Sequence, residues 1–391
     1  MKILATALPY AGHLLPMVGV ASELEKRGHQ VTFIATAGSA PELERRGFKT
    51  VVSKAHYVEL DRRVRGRKPL RTQISDPEFL EKAIDFEVSV IRSENPSVFL
   101  VDSYLSVPVS CTLTGLPWIP LFQGDAWLSK ENLVFARGET SSEAEGVASV
   151  LTHYRLGDQL RAEVPGVLYS PHLNLITGIP FWTTSRRSPC FQGPVLFLGM
   201  LRQPLDSSTQ ADFPLVRSRR LGPKGLVSFG TLCPSEERYR LVLQAASHVG
   251  LSVTCNTGLV DPSSLIKEFP EATVARHLPE GQYLSCLEEA DLLVFHGGFN
   301  TLMLAMYYGK KCVVLPCNFL GSDQVANGQE VKELGFGVSL EPEATEMDVR
   351  AAMSRVLGSE NYAISARAAC KQIRALTSNL DWCKRLEDLS R

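Results

Sequence analysis

A histidine near the start of the chain sits in the run Gly12-His13-Leu14-Leu15-Pro16, after an apolar stretch at residues 2–8 and before a helical pattern at 16–27. A neutral imidazole titrates close to physiological pH, so at a strand-to-helix turn it suits the removal of a proton from a hydroxyl. A lone histidine after a strand is as readily structural. A base of this kind needs a partner that fixes its tautomer and steadies the imidazolium. Asp102, directly after the apolar run 97–101, has the right chemistry, although an aspartate at a strand end also caps turns.

A second constellation lies in the other half of the chain, where the apolar run 292–295 ends in His296-Gly297-Gly298-Phe299-Asn300-Thr301 and a helical pattern follows at 302–308. Glycines let the backbone approach a ligand closely, and a helix start presents N–H groups to an anion. A diphosphate is the natural guest, with the His296 imidazole and the Thr301 hydroxyl as extra donors. A Gly-Gly turn between a strand and a helix is also common without any ligand.

The elements that must position these residues form two similar series. Strand patterns at 2–8, 30–35, 97–101 and 118–122 alternate with helical ones at 16–27, 79–93 and 107–114. A second series starts at Gly225, with strand patterns at 226–229, 252–255, 272–275, 292–295 and 312–315 and a helix at 236–248. Strands alternating with helices predict an α/β protein with parallel sheets, in which ligands lie beyond the carboxyl ends of the strands. Pro204, Pro214 and Pro223, set among Ser and Arg residues, predict a linker. The expected domains are residues 1–205, a linker at 206–222, a second domain at 223–370, and a closing helix at 371–391 that returns to the first domain with Trp382 as its anchor.

Composition narrows the classes. With 391 residues, 44% hydrophobic and 21% charged, the chain has material for more than one core. A net charge of -1 gives no whole-chain attraction to nucleic acid or membrane. Nine cysteines without a CxxC pair predict reduced thiols in a cytoplasmic protein. No apolar run reaches the roughly 20 residues of a membrane span. The basic run Arg62, Arg63, Arg65, Arg67, Lys68 and Arg71 suits a solvated loop or a surface for an anionic acceptor.

Further matching segments surround the glycine turn: His277-Leu278-Pro279-Glu280-Gly281-Gln282 before it, and Leu315-Pro316 and Asp323-Gln324-Val325-Ala326-Asn327 after it. Together they resemble the donor-binding signature of family-1, UDP-glycosyltransferase-like enzymes of the GT-B fold, including bacterial natural-product and macrolide glycosyltransferases. The resemblance covers essentially the whole chain. It implies two doubly wound Rossmann-like domains facing a cleft. It makes His13 the general base and Asp102 its partner. His296, Gly297, Gly298, Asn300 and Thr301 would contact the donor diphosphate, together with Gly12 and the turn Ser228-Phe229-Gly230-Thr231. His277 and Leu278 would flank the base, and Asp323 and Gln324 would bind sugar hydroxyls.

One position departs from the pattern. Uridine-using members carry Glu eight residues after the motif histidine, to grip the ribose hydroxyls, and here that residue is Leu304. Thymidine donors lack the 2′-hydroxyl, so the implied donor is a UDP- or dTDP-sugar, with no other cofactor and no metal. Phe79, Tyr104, Gln123, Asp125 and Trp127 are the candidate acceptor contacts, with Phe86, Phe135 and Tyr154 beside them. The implied reaction is inverting transfer of a hexose to a hydroxyl of a small, largely lipophilic acceptor, by a cytoplasmic monomer or homodimer. A donor-hydrolysing epimerase of the same fold and a non-catalytic nucleotide-sugar binder are the alternative readings.

Overall fold

The computed structural model describes residues 1–53, 76–124, 140–160, 166–180, 193–201, 222–230, 233, 235–317 and 323–389, without the side chains of 140–143 and 323. The chain divides into two compact units, one made of Met1–Gln203 with Leu376–Arg391 and the other of Pro204–Ala375.

The first unit begins β1 (Lys2–Thr6), α1 (Ala11–Lys26), β2 (Gln30–Ala35), α2 (Ala40–Arg45) and β3 (Lys49–Val52). It continues with α3 (Pro77–Glu94), β4 (Val98–Val101), α4 (Ser106–Thr114), β5 (Trp118–Gln123), α5 (Thr140–His153), β6 (Asn174–Thr177) and β7 (Val195–Phe197). All seven strands are parallel, in the order β3-β2-β1-β4-β5-β6-β7. Central strands such as VFLV in β4 are buried along their whole length, because a parallel sheet is covered on both faces. Side chains alternate between those faces. Leu4, Phe99 and Val101 join a core with α3, α4 and α5, while Ile3, Ala5, Val98 and Leu100 join another with α1 and α2.

Local chemistry explains the helix ends. Asp76 caps α3 by accepting from the Phe79 amide, Pro77 suits the first turn, and Asn95 ends the helix in the left-handed region at φ 49°. The start of α1 differs from expectation. The helical pattern places its beginning at Pro16, but the helix starts at Ala11, so Pro16 lies inside it and His13 occupies the first turn. Proline cannot donate to the carbonyl four residues back, which is Gly12, and the missing bond hides that first turn from a periodicity argument.

The second unit runs β8 (Lys224–Ser228), α6 (Glu236–His248), β9 (Ser252–Asn256), α7 (Ser263–Glu268), β10 (Thr273–Ala275) and α8 (Glu280–Glu289). It continues with β11 (Leu292–Phe295), α9 (Phe299–Tyr307), β12 (Lys311–Val314), α10 (Asp323–Glu333), β13 (Gly337–Ser339) and α11 (Glu346–Gly358). Its six strands are parallel, in the order β10-β9-β8-β11-β12-β13. Ser235 caps α6, and Thr345 with Asp348 forms a capping box on α11.

The last helices are α12 (Glu360–Ser378) and α13 (Asp381–Asp388). Trp382, Cys383 and Leu386 of α13 belong to the core that covers one face of the first unit's sheet. Trp382 is 2% exposed, and its indole N–H has no hydrogen-bond partner among the described residues. Its contribution is therefore packing. Trp382→Ala is expected to lower stability by about 3–5 kcal/mol in urea denaturation, whereas Trp382→Phe, which keeps most of the volume, loses much less.

Candidate functional site

In each unit the strand order reverses once between neighbouring strands, and an open α/β sheet has its crevice at that reversal. In the first unit the reversal lies between β1 and β4, with Thr6 beside Val101. His13 follows β1 and Asp102 follows β4, so residues far apart in sequence emerge from adjacent strand ends.

The Asp102 amide donates to the Thr6 carbonyl at 3.0 Å, which fixes the aspartate at the strand edge. Tyr10 stands before α1, and its carbonyl accepts from the His13 and Leu14 amides at 2.9 and 2.7 Å. His13 Nδ1 then lies 2.8 Å from Asp102 Oδ1, with the histidine 25% and the aspartate 2% exposed. A buried carboxylate facing Nδ1 favours the tautomer with its proton there, leaving the basic lone pair on Nε2. Burial also pushes the neighbouring Tyr10 phenol up to about 12, so it stays uncharged, with its ring centroid 6.2 Å from that of His13.

Two residues hold the carboxylate in place. Ser103 Oγ donates to Asp102 Oδ1 at 2.6 Å, and Gln123 Nε2, at the end of β5, donates to Oδ2 at 3.1 Å. Ser103 has φ +66°, a strained conformation for a residue with a side chain, of the kind that clusters at functional sites. Sequence reasoning missed Ser103 entirely. It set Gln123 against the acceptor, and the structure adds a second role, with its Nε2 donating to Asp102.

In the second unit the reversal lies between β8 and β11, with Ser228 beside Phe295. Gly297 has φ +90°, and a Cβ there would come within 2.4 Å of the Gln324 carbonyl oxygen, so only glycine fits. Asn327 Nδ2 donates to the Gly297 carbonyl at 2.7 Å, which ties the turn to α10. Gly298 is the N-cap of α9, so Phe299, Asn300 and Thr301 form its first turn, ahead of the Leu302 N to Gly298 carbonyl bond at 3.0 Å. The helix thus begins earlier than the 302–308 pattern suggests, which brings Asn300 and Thr301 to the end where backbone N–H groups gather.

The His296 ring lies under this turn. A Cβ on Gly230 would approach the ring to 2.9 Å and one on Gly298 to 2.5 Å, so both glycines make room for it. Burial pushes the imidazole down to about 4, against the opposing pull of a backbone hydrogen bond with Ser228. Its Nδ1 is sealed, with no hydrogen-bond partner among the described residues. His296 is therefore neutral at physiological pH and offers an anion no charge. The expected extra donor serves first as packing beneath the glycine turn.

The remaining expected contacts divide. Gln324 is 3% exposed and its Oε1 accepts from the Cys317 amide at 2.8 Å, so the protein takes up part of its hydrogen-bonding capacity. Burial, not solvent, surrounds this residue. Leu278 donates its amide to Asn256 Oδ1 at 3.1 Å, while His277 beside it is exposed. Leu304 is buried on the inner side of α9. Tyr104 is 2% exposed in the core of the first unit, which makes it a packing residue and not an open acceptor contact. Phe79, Phe86 and Tyr154 are partly buried, the last two packed on the same core. Gly12 lies in the first turn of α1, with open space where a Cβ would project. Thr231, Asp125, Trp127, Phe135 and the arginine-rich residues 62–71 lie outside the described residues, as does the Asp323 side chain. Among the described residues, no helix is long and apolar enough to cross a membrane.

No family model matches the chain. The NDP-glycosyltransferase YjiC of Bacillus subtilis is 25% identical over 357 residues, covering 86% of this chain and 83% of that protein. The solved glycotransferase of kitacinnamycin superposes with a TM-score of 0.77 at 20% identity, over 99% of this chain and 98% of its own. The spinosyn rhamnosyltransferase SpnG complexed with thymidine diphosphate gives 0.70 at 21% identity, over 96% of both chains. These likenesses establish two Rossmann-like units of the GT-B type, and the proteins on which they rest are glycosyltransferases.

The buried His296 has a pH signature. Its folded pKa lies below the unfolded value, so its contribution to stability is complete above pH 6.5 and is lost as pH falls toward 4. Going from pH 7.5 to pH 5, this group alone should cost about 2 kcal/mol of unfolding free energy. The neutral variant His296→Gln should flatten that part of the denaturation profile, and an unchanged slope would show that the ring is not buried as a base.

Proposed function

We propose that this glycosyltransferase of the GT-B fold transfers a hexose from a UDP- or dTDP-sugar to a hydroxyl of a small, largely lipophilic acceptor, inverting the anomeric carbon without a metal. The observation that supports this reading most is the complementary chemistry at the two strand reversals. One carries an imidazole backed by a buried carboxylate, and the other a glycine turn opening into a helix start. The first unit then serves as the acceptor half and the second as the donor half.

In this mechanism His13 Nε2 takes the proton of the acceptor hydroxyl as its oxygen attacks the anomeric carbon. Asp102 stabilises the imidazolium that forms, and Ser103 and Gln123 keep the carboxylate aimed at it. The bond to the nucleoside diphosphate breaks on the opposite side of the carbon. The growing charge on the leaving oxygens is met by the N–H groups at the start of α9 and by Thr301. Stabilisation by fixed dipoles requires no divalent ion.

The relative solved with thymidine diphosphate supports a thymidine-linked donor, and so does the apolar Leu304 where a ribose-gripping carboxylate would stand. Acceptor class rests on the natural-product relatives and on the aromatic residues of the first unit.

His13→Ala is expected to lower kcat by about 10²–10⁴-fold, with nucleoside diphosphate affinity unchanged in calorimetry. Asp102→Asn should fall in the same direction, and wild-type turnover in both would remove the dyad from the mechanism. Dissociation constants for dTDP and UDP should rank dTDP as the tighter ligand. The opposite order would assign ribose recognition to residues other than position 304.

A further inference from the structure

Cys233 and Cys317 are far apart in sequence and meet beside the glycine turn. Cys233 lies between β8 and α6, and Cys317 follows β12. Both side chains are buried, and the Cys317 thiol donates to Cys233 Sγ at 3.6 Å. No other sulfur pair is in contact among the described residues. We propose that these two thiols are a modification site: a peroxide oxidises them to a reversible disulfide, which ties the segment after β8 to the segment after β12 and weakens nucleoside diphosphate binding. The effect on binding rests on the donor reading of the second unit, but formation of the bond does not.

The surroundings favour one thiol as the attacking group. The Cys317 thiol hydrogen bond pulls the Cys233 pKa down to about 6 against the effect of burial, with help from a backbone hydrogen bond at Ser235 and from the Arg238 guanidinium. Ser235 caps α6, so Cys233 sits at the positive end of a helix. Cys317, as the donor in the pair, is pushed up and keeps its proton. Cys111, Cys255 and Cys312 are pushed up by burial, with no sulfur partner in contact among the described residues. A low-pKa thiol with a second thiol in reach is the arrangement that converts a sulfenic acid to a disulfide.

The chemistry balances. The Cys233 thiolate attacks one peroxide oxygen, the O–O bond breaks, and water leaves after protonation. Cys317 sulfur then displaces the hydroxyl of the sulfenic acid as a second water. Two thiols and one hydrogen peroxide give one disulfide and two waters, with two electrons passing from sulfur to oxygen.

The bond would act on the donor turn through contacts already described. The Cys317 amide is held by Gln324 Oε1, and the Gln324 carbonyl oxygen packs against Gly297. Arg238 holds the same region through the carbonyls of Pro316 and Pro342, each at 2.7 Å. Drawing the two sulfurs from 3.6 Å to bonding distance therefore moves a backbone amide that is bonded to Gln324.

The test uses the full reduced chain, titrated with hydrogen peroxide and mapped by mass spectrometry without reductant, with dTDP and UDP binding measured in parallel. A 233–317 crosslinked peptide that dithiothreitol reverses is expected, with diphosphate affinity roughly tenfold weaker in the crosslinked form. Cys317→Ser should stall Cys233 as a sulfenic acid trapped by dimedone, and Cys233→Ser should bind diphosphate equally with and without peroxide. No crosslink, or oxidation spread over the other cysteines, overturns the site. A crosslink with unchanged affinity overturns its control of the donor. A reduced wild-type chain that binds neither diphosphate refutes the donor reading while leaving the crosslink to be read by mass.

Discussion

Thr6 beside Val101, and Ser228 beside Phe295, are the contacts on which everything else depends. A parallel sheet needs a crossover between successive strands, and a right-handed crossover adds each new strand on the same side until the order reverses. At the reversal, two neighbouring strands send their chains to opposite faces, and their carboxyl ends open a gap that neither crossover fills. Both units obey this constraint. One gap receives an imidazole with its carboxylate, and the other a glycine turn over a buried imidazole.

The two histidines show how the same side chain is put to different uses by its surroundings. His13 is a quarter exposed, with its Nδ1 held 2.8 Å from a buried carboxylate. His296 is enclosed by glycines and strand ends, where burial favours its neutral form. A partly exposed imidazole backed by a carboxylate suits proton transfer. One that burial keeps neutral at physiological pH suits a packed floor beneath the glycine turn.

Much of this arrangement was legible in the sequence because it rests on strong local signals. The apolar runs of β1, β4, β8 and β11 mark buried parallel strands; Asp102 and the 296–301 run follow β4 and β11 directly, and His13 lies in the helix turn after β1. Weak signals failed. Strands β7 and β13 have three residues each, too few for any period to show. Pro16 suggested a helix start and concealed one, because its missing N–H matters only to a helix already under way. Gln123 and Gln324 each carry an amide that could serve a ligand or the protein. Only the fold shows that one faces Asp102 and the other the Cys317 amide. Tyr104 shows the same ambiguity, since an aromatic residue in sequence has no visible side and the fold buries this one in the core.

The burial of Leu304 also bears on how such a protein could change over evolutionary time. The residue is 7% exposed, so a glutamate introduced there alone would take a carboxylate largely out of water and cost several kcal/mol unless it turned outward. A route from one nucleotide to another through this position must first loosen the packing under α9, then add the acid. Neighbouring substitutions would have to come earlier, and each must be tolerated by itself. Under the donor reading proposed above, a nucleotide preference set at position 304 is guarded by the order in which mutations can accumulate.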